Sequence, residues 1–400
     1  SPGSLSGNPQ GNTVLGIDAG NALTTGINNT FIGNDAGVSA TTTESNVFIG
    51  FSSGKACNTT AKQKNVCIGK GTFDIAGGQE SVCIGFEAGR VSSTSSSVYV
   101  GYQSGWANSG GSNTALGRES LIGGGGGNSV GVGYQTARNN TTTGHVSVGY
   151  YAGYSQTSGI NNTNIGFNAG LSNTTGSYRT VIGNDASKYN TGNFNVAIGT
   201  QAMIGNVSGS THNSSVAIGH QAGVQVTGGG QATILGFKAG AQLTSGWYNT
   251  FLGAEAGDNI TTGQNNIVIG RAADASSATA SNEITLGDAN ITSFRIPGIQ
   301  SGASNGDVLT FNSSAGKLEL QAAGGGGGGA SSLNGLSDCL ITAQDSQFIG
   351  NVPASLGTTA YYNTSLGFDA LNSIQNGDGN IGIGYNAGKS ITSGIGNIAI

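Results

Sequence analysis

Most of the chain repeats the stretch Gly11-Asn12-Thr13-Val14-Leu15-Gly16-Ile17-Asp18-Ala19-Gly20, and this repeat determines the architecture. The next copy reads Asn29-Thr30-Phe31-Ile32-Gly33-Asn34-Asp35-Ala36-Gly37. Each copy contains a glycine that directly follows an aliphatic residue, called here the anchor glycine. In the first run the anchors are 16 or 17 residues apart, except for steps of 19 and 20, so each copy is predicted to form one coil of a solenoid. The anchors are Gly16, Gly33, Gly50, Gly69, Gly85, Gly101, Gly117, Gly133, Gly149, Gly166, Gly183, Gly199, Gly219, Gly236, Gly253, Gly270 and Gly287, then Gly350, Gly367 and Gly384.

The residues before each anchor glycine predict a β-strand. The residue one place before is Ile, Leu or Val in all twenty copies, and the residue three places before is Thr, Val or Ile except at Gln347. These two positions share a face of a strand, which we expect to line the coil interior. Asn or Ser usually opens the strand, where it can either form an amide ladder along the stack or cap the preceding turn. The predicted core ladder contains Leu15, Ile32, Ile49, Ile68, Ile84, Ile165, Ile182, Ile198 and Ile218. Turns are predicted at Gly16, Gly33, Gly50, Gly166, Gly183, Gly253 and Gly270.

A second, weaker strand is predicted in each coil, as in Leu23-Thr24-Thr25-Gly26 and Ile260-Thr261-Thr262-Gly263. Two unlike strands with two turns fill a coil of 16–17 residues, whereas a three-sided β-helix of hexapeptides needs about 18. The sequence therefore predicts an all-β fold, a β-solenoid in the form of a two-sided parallel β-roll.

The residue two places before each anchor glycine is also apolar in most copies. It points away from the predicted core ladder, so in a solitary roll we expect it to be polar. An apolar face along the roll predicts a homotrimer that buries this face around a threefold axis. The predicted trimer interface contains Val14, Phe31, Phe48, Tyr99, Val181, Ile234, Phe251 and Val268.

The repeat divides the chain into four parts. Residues 1–10 are a lead-in, and residues 11–288 form a rod of 17 coils. Residues 289–345 form a neck with a short hairpin, Gly306 to Phe311 with Lys317 to Leu320, followed by a hinge of six glycines, Gly324 to Gly329. Residues 346–400 form a second rod. Because the pattern requires a glycine after Ile400, we expect this rod to be truncated at its C-terminus.

The composition excludes several classes of protein. Glycine accounts for 74 of 400 residues, charged residues for only 8%, and the net charge is −5. The 14 basic residues are scattered, which argues against a nucleic-acid partner. No apolar run of 18 residues occurs, so we expect no membrane insertion. The four cysteines leave the redox compartment open, and Cys67 and Cys83, in one column of successive coils, form either an apolar ladder or a disulfide.

Few residues suggest chemistry. Seven carboxylates lie two places after an anchor, mostly alone on turns, and the three histidines do not have zinc-site spacing, so we expect no catalytic residue, metal or cofactor. Nine aromatic residues directly follow an anchor; they form either a sugar-binding stripe or packing at the turn edge and between subunits. Thr24 and Thr25 are adjacent and face opposite ways, so they do not form a Thr-x-Thr row on one face, which disfavours an ice-binding array. The carboxylates are Asp18, Asp35, Glu87, Glu119, Asp185, Glu255 and Asp369, and the histidines are His145, His212 and His220, each with an expected surface role.

The repeat unit Asn-Thr-x-Ile-Gly-x-x-Ala-Gly resembles repeats in tail fibres of tailed bacteriophages. Asn213 to Gly219 and Asn195 to Gly199 are similar to the shorter unit that builds the β-roll heads of trimeric autotransporter adhesins. Asn282 to Gly298 resembles the stretch that ends such arrays in phage fibres, and Ser331 to Asp338 resembles a fibre connector. Both families are homotrimers, although the coil here is longer than the adhesin coil.

The resemblance implies a structural, non-enzymatic fibre protein of a virion, extracellular, that projects a receptor-binding region for attachment to a host cell. Its expected partners are two further copies of itself and a host receptor, either a glycan or an outer-membrane component. A bacterial trimeric autotransporter-type adhesin is the alternative. A tailspike glycan hydrolase and an ice-binding solenoid are less favoured, and the sequence identifies neither receptor nor host.

Overall fold

The computed structural model describes residues 11–58, 62–75, 78–93, 95–124, 126–206, 209–297, 307–312, 317–321, 339–341, 346–350 and 360–400. The chain divides into two compact units, Ser1–Thr292 and Ser293–Ile400. The lead-in, the glycines of the predicted hinge and the connector at Ser331 lie outside the described residues.

The first unit is a parallel β-solenoid, as the repeat predicts. Each coil contributes one three-residue strand that ends just before its anchor glycine, and each strand pairs in register with the strand of the next coil. Seventeen strands at about 4.8 Å spacing make a sheet roughly 77 Å long. The strands are β1 (Thr13–Leu15), β2 (Thr30–Ile32), β3 (Val47–Ile49), β4 (Val66–Ile68), β5 (Val82–Ile84), β6 (Val98–Val100), β7 (Thr114–Leu116), β8 (Val130–Val132), β9 (Val146–Val148), β10 (Thr163–Ile165), β11 (Thr180–Ile182), β12 (Val196–Ile198), β13 (Val216–Ile218), β14 (Thr233–Leu235), β15 (Thr250–Leu252), β16 (Ile267–Ile269) and β17 (Ile284–Leu286).

The anchor glycines stack directly on one another. Gly33 has a φ of 131° and Gly183 a φ of 137°, a region that L side chains rarely adopt. A Cβ atom on Gly33 would lie 2.6 Å from the carbonyl oxygen of Gly50, the anchor of the next coil. Backbone conformation and close stacking therefore both require glycine, which explains why the anchor does not vary.

The prediction of which strand residues face inward was wrong. The residue at the centre of each strand, two places before the anchor, faces the coil's own interior, and Phe31, Phe48 and Phe251 are completely buried within one chain. The predicted trimer-interface residues therefore form an interior column: Tyr99, Val181, Ile234 and Val268 are also completely buried and Val14 is partly buried. They are not available to another subunit.

The predicted core ladder lies on the opposite side. Leu15, Ile84 and Ile165 are exposed, and Ile32, Ile49, Ile68, Ile182, Ile198 and Ile218 are half-buried. With the residues three places before the anchors, they form the solvent-facing side of the sheet, called here the outer strand face. The physical reason is that alternation fixes which residues share a face, but the turns decide which face is enclosed.

In several coils the size of the interior side chain is balanced by the residue four places after the anchor glycine, called here the corner residue. Opposite Phe48 the corner residue is Gly54, where a Cβ atom would lie 2.4 Å from the ring. Where the interior residue is the smaller Cys67, the corner residue is the buried Phe73. This exchange of large and small residues fills a narrow interior at close packing.

The predicted second strand is not present in the described coils. Residues such as Thr24 and Thr25 lie in turns whose backbone N–H groups donate to the next coil, both to the Thr41 carbonyl, at 2.9 and 3.3 Å. The second side of the roll is therefore a stack of turns rather than a sheet. Because glycines and bends interrupt it, it cannot hold the extended conformation of a strand.

An asparagine ladder, the first of the two alternatives for these residues, closes the interior beside the strands. Asn29 Nδ2 donates to Asn12 Oδ1 at 3.1 Å and to the Thr43 carbonyl at 2.8 Å, while the Asn46 backbone N–H donates to Asn29 Oδ1 at 3.0 Å. The residues four places before the anchors form this ladder column. Each buried amide thereby satisfies backbone groups of two coils.

The second unit contains the predicted hairpin and restarts the coils. Strands β18 (Val308–Asn312) and β19 (Lys317–Gln321) pair antiparallel. Strand β20 (Cys339–Ile341) pairs antiparallel with β21 (Gln347–Ile349), a pairing that the sequence did not suggest. Parallel pairing then resumes through β22 (Thr364–Leu366), β23 (Ile381–Ile383) and β24 (Ile398–Ala399).

Candidate functional site

The largest candidate surface is the outer strand face of the first unit. In all 17 strands its C-terminal residue is Ile, Leu or Val, and none of these residues is buried. Leu116 is 47% exposed and Leu252 is 42% exposed. A file of apolar side chains that runs the length of the sheet lies in solvent in a single chain, which is unusual for a surface without a partner.

A second candidate is a row of aromatic and basic side chains directly after the anchors, called here the aromatic row. It runs without interruption through the eight coils of β3 to β10, because Lys70 and Arg118 fill the positions between the rings. Tyr134 and Tyr150 stack with centroids 5.0 Å apart, and Arg118 Cζ lies 5.3 Å from the ring centroid of Tyr102. The row contains Phe51, Lys70, Phe86, Tyr102, Arg118, Tyr134, Tyr150 and Phe167.

This stacking disfavours a sugar-binding stripe. Tyr150 and Phe167 are nearly parallel, at 8°, with centroids 5.1 Å apart, so each ring covers the face of its neighbour. Sugars stack on ring faces, whereas the aromatic row offers mainly ring edges to solvent. The expected packing at the turn edge is confirmed, with the rings of successive coils supporting one another.

Four of the seven turn carboxylates are ion-paired. Glu87 binds Arg90 at 3.0 Å, Asp185 binds Lys188 at 3.0 Å and Asp369 binds Lys389 at 2.5 Å. Glu119 lies between Arg118 and Arg138, at 3.2 and 3.3 Å. Burial alone would raise the pKa of Glu119, but hydrogen bonds from Gln135, Arg138 and Arg118 outweigh it and lower the pKa. An ionised, cation-bound carboxylate is a poor general acid.

One close carboxylate pair was missed by the sequence analysis. Burial, and then the charge of Asp274, raise the pKa of Asp258, and the two side chains share a hydrogen bond. A glycosidase needs its two carboxyl groups at least about 5 Å apart, with the scissile bond between them. Carboxyl groups in direct contact do not provide that arrangement. In the described part of the chain, no group of three His, Cys, Asp or Glu residues could hold a metal ion.

The expected surface role is wrong for two of the three histidines. His145 and His212 are buried, whereas His220 is exposed. His145 occupies the ladder column, where its Nδ1 accepts from the Asn162 backbone N–H at 3.3 Å and its Nε2 contacts Thr142 Oγ1 at 2.9 Å. Burial lowers the pKa of His145 to about 4 and also lowers the pKa of His212. His145 lies in the ladder column, which otherwise contains mostly Asn or Ser, and this position in the sequence could have indicated that it is buried.

The cysteines of the first unit are free thiols in the interior. Cys57, Cys67 and Cys83 are buried in one apolar cluster with Phe48 and Phe73. Burial raises the pKa of the Cys67 and Cys57 thiols well above the usual value. The apolar-ladder alternative is therefore the one that the structure shows for Cys67 and Cys83.

The coils of β9, β10 and β11 have an unusual interior, called here the polar segment. Ser147 and Asn164 occupy the interior column there, and Arg179 occupies the ladder column. All three are buried and carry polar atoms without a hydrogen-bond partner. Separate apolar clusters lie on both sides, one extending to Ala137 and one beginning at Ala197. The interior is thus apolar at both ends, whereas in the middle buried polar groups lie beside a small apolar cluster of Ala169, Val181 and Ala186.

No protein-family model matches the chain, and no curated protein or solved structure is significantly similar to it. No described helix is long and apolar enough to cross a membrane.

Proposed function

We propose that this chain is the structural shaft of a homotrimeric fibre, a phage tail fibre in the virion, that projects a receptor-binding region for attachment to a host cell. The observation that carries the proposal is the apolar outer strand face of a long coil stack. Neither a metal nor a cofactor enters the proposal.

The size of the outer strand face supports self-association. A strand of three residues is about 10 Å wide, so a sheet of roughly 77 Å offers about 770 Å². This exceeds the few hundred Å² that soluble monomers usually expose, and it approaches the roughly 800 Å² per partner of a specific interface. Copies of a regular coil stack also share one spacing, so their apolar side chains match along the whole length. A homotrimer buries this face around its threefold axis.

The contacts of the candidate catalytic groups favour a structural role over a glycan hydrolase. The carboxylates of Glu87, Glu119, Asp185 and Asp369 are ion-paired with arginine or lysine side chains. The side chain of Asp258 is in contact with that of Asp274. The threonine hydroxyls also disfavour ice binding, because Thr24 and Thr244 donate to carbonyl oxygens of the next coil, at 3.0 and 2.9 Å. Such hydroxyls are already occupied within the solenoid.

A bacterial trimeric autotransporter-type adhesin is the second candidate. It is favoured by the strand β13 region, where Asn213 to Gly219 is similar to the adhesin repeat, and by the asparagine ladder along the coils. Both candidates use the same outer strand face to assemble. They differ in the particle that carries the fibre.

Immunogold electron microscopy tests the proposal. Antibodies against the first unit should label a thin fibre that projects from virions, and soluble chain should compete with those virions for adsorption to host cells. Label on the bacterial surface in the absence of virions would overturn the phage assignment in favour of the adhesin. Release of reducing ends from host polysaccharide by the purified chain would overturn the structural assignment.

A further inference from the structure

The buried arginine of the polar segment is the least satisfied group in the described interior. Arg179 is 1% exposed, and its Nη2 donates to the Ser187 hydroxyl, a contact that leaves Nε and Nη1 without partners. In the described part of the chain, no carboxylate forms an ion pair with it. Buried charges in proteins are normally paired, because an isolated charge in a low-dielectric interior is very costly.

A second unsatisfied side chain lies one coil away. Asn164 is buried, and neither its Oδ1 nor its Nδ2 has a hydrogen-bond partner. Its amide lies against Gly170, where a Cβ atom would be 2.3 Å from Oδ1. The Gly170 N–H donates to the Ala186 carbonyl at 3.0 Å, so Gly170 stacks beside Ser187, which Arg179 contacts. The amide and the guanidinium therefore contact corner residues of adjacent coils, Gly170 and Ser187.

In these coils a polar interior residue lies opposite a corner glycine. Asn164 is opposite the corner residue Gly170, and Ser147 is opposite Gly153. Elsewhere the corner glycines contact apolar side chains, such as Phe48, Tyr99 or Ile234. The polar segment therefore places polar atoms where the other coils place apolar side chains.

The charge of Arg179 identifies the ligand. Burial lowers its pKa to about 9, which still leaves the guanidinium protonated at neutral pH. Water can accept a hydrogen bond but supplies no negative charge. An anion supplies both, and enclosure by neighbouring coils limits it to a single atom.

We propose that the solenoid interior binds one halide ion, chloride under ordinary conditions, between the Nε–H and Nη1–H groups of Arg179 and the side-chain amide of Asn164. The amide donates through Nδ2, which a rotation of the amide about its terminal bond directs toward Arg179, because the two amide orientations have nearly the same shape. Ser147, whose hydroxyl is also unpartnered, lies one coil farther along the same column.

Long-wavelength X-ray diffraction tests the site directly. Crystals of the chain purified in sodium chloride should show an anomalous peak for chlorine within about 3.3 Å of Arg179 Nε or Nη1. Arg179→Asn, which places the usual ladder residue in this column, should remove the peak. Density for a water without an anomalous signal, a direct guanidinium–amide hydrogen bond, or a peak that persists in Arg179→Asn would each overturn the proposal.

Thermal unfolding gives an independent readout. A ligand that binds only the folded state raises the melting temperature. The wild-type chain should melt several degrees higher in sodium chloride than in sodium gluconate of equal ionic strength, and Arg179→Asn should lose this difference. Arg271→Asn, which removes an exposed arginine, is the matched control and should keep it. Equal melting temperatures of the wild-type chain in the two salts would contradict the site.

Discussion

The interior around β2 and β3 differs from the interior around β9, β10 and β11, although the backbone frame is the same. Phe31 and Phe48 stack with centroids 5.1 Å apart in the first region, whereas Ser147 and Asn164 occupy the same column in the second. Both regions pair parallel and in register, and both continue the ladder column. The comparison shows that two features define the backbone frame: the hydrogen bonds between successive coils, and the anchor glycines. The amount of apolar side chain buried in the interior varies from coil to coil.

The largest expected effect separates the two interiors by their packing. Phe48→Ala should lower the free energy of unfolding of its region by roughly 3–5 kcal/mol, because the buried ring leaves a void. Ser147→Ala should change it by less than about 1 kcal/mol, because the hydroxyl has no partner to lose. Hydrogen exchange of the β3 and β9 amides measures both. Equal losses would show that the two interiors contribute alike.

A somewhat smaller effect, confined to the polar segment, depends on pH. The folded pKa of His145, about 4, is below its unfolded value of about 6.5, so the unfolded chain binds more protons between these values. The stability from neutral His145 is complete above pH 6.5 and is lost as the pH falls toward 4, by about 3 kcal/mol at most.

Hydrogen exchange at pH 5 and pH 7 measures this loss. The β9 and β10 amides should lose protection at pH 5, after correction for intrinsic exchange, while the β2 and β3 amides keep it. His145→Asn, which retains a ladder residue, should remove the difference. A wild-type chain whose β9 protection does not depend on pH would exclude this role for His145.

The smallest effect should be common to both regions. Asn46 Oδ1 accepts from the Asn65 backbone at 3.0 Å, and Asn162 Oδ1 accepts from the Arg179 backbone at 3.0 Å. Asn46→Ala and Asn162→Ala each leave a buried N–H unpaired, so each should lower stability by about 1–3 kcal/mol. Urea unfolding of the two variants checks this. A loss in only one of them would mean that the ladder is not a shared element of the frame.

The sequence predicted the frame because the frame is local. Each strand ends one residue before its anchor glycine, and the period alone placed all 20 of these strands. The direction of the side chains was not predicted, because apolar residues occur on both faces of strands such as Val47–Ile49. The corner residues could have identified the enclosed column, because the small Gly54 accompanies the large Phe48 and the large Phe73 accompanies the smaller Cys67.

The candidate surfaces were predicted less well than the frame. In the sequence, the positions of Lys70 and Arg118 interrupt the aromatic residues that follow the anchors, yet in the structure both side chains lie between rings. The buried positions of His145 and Arg179 depend on a column that otherwise holds mostly Asn and Ser. Because histidine and arginine are usually exposed, their residue type suggested a surface position, although the ladder column in which they occur is buried.

Light scattering coupled to size exclusion measures whether the outer strand face joins copies of the chain. The wild-type chain should form a particle of three 39.5 kDa chains. Leu116→Asp with Leu252→Asp, on the outer strand face, should yield folded monomers, because an exposed charge replaces an apolar contact. Thr25→Asp with Thr262→Asp, on exposed turns, should remain trimeric. A monodisperse, folded monomer from the wild-type chain, or an unchanged trimer from the double leucine variant, would show that the outer strand face does not join copies of the chain.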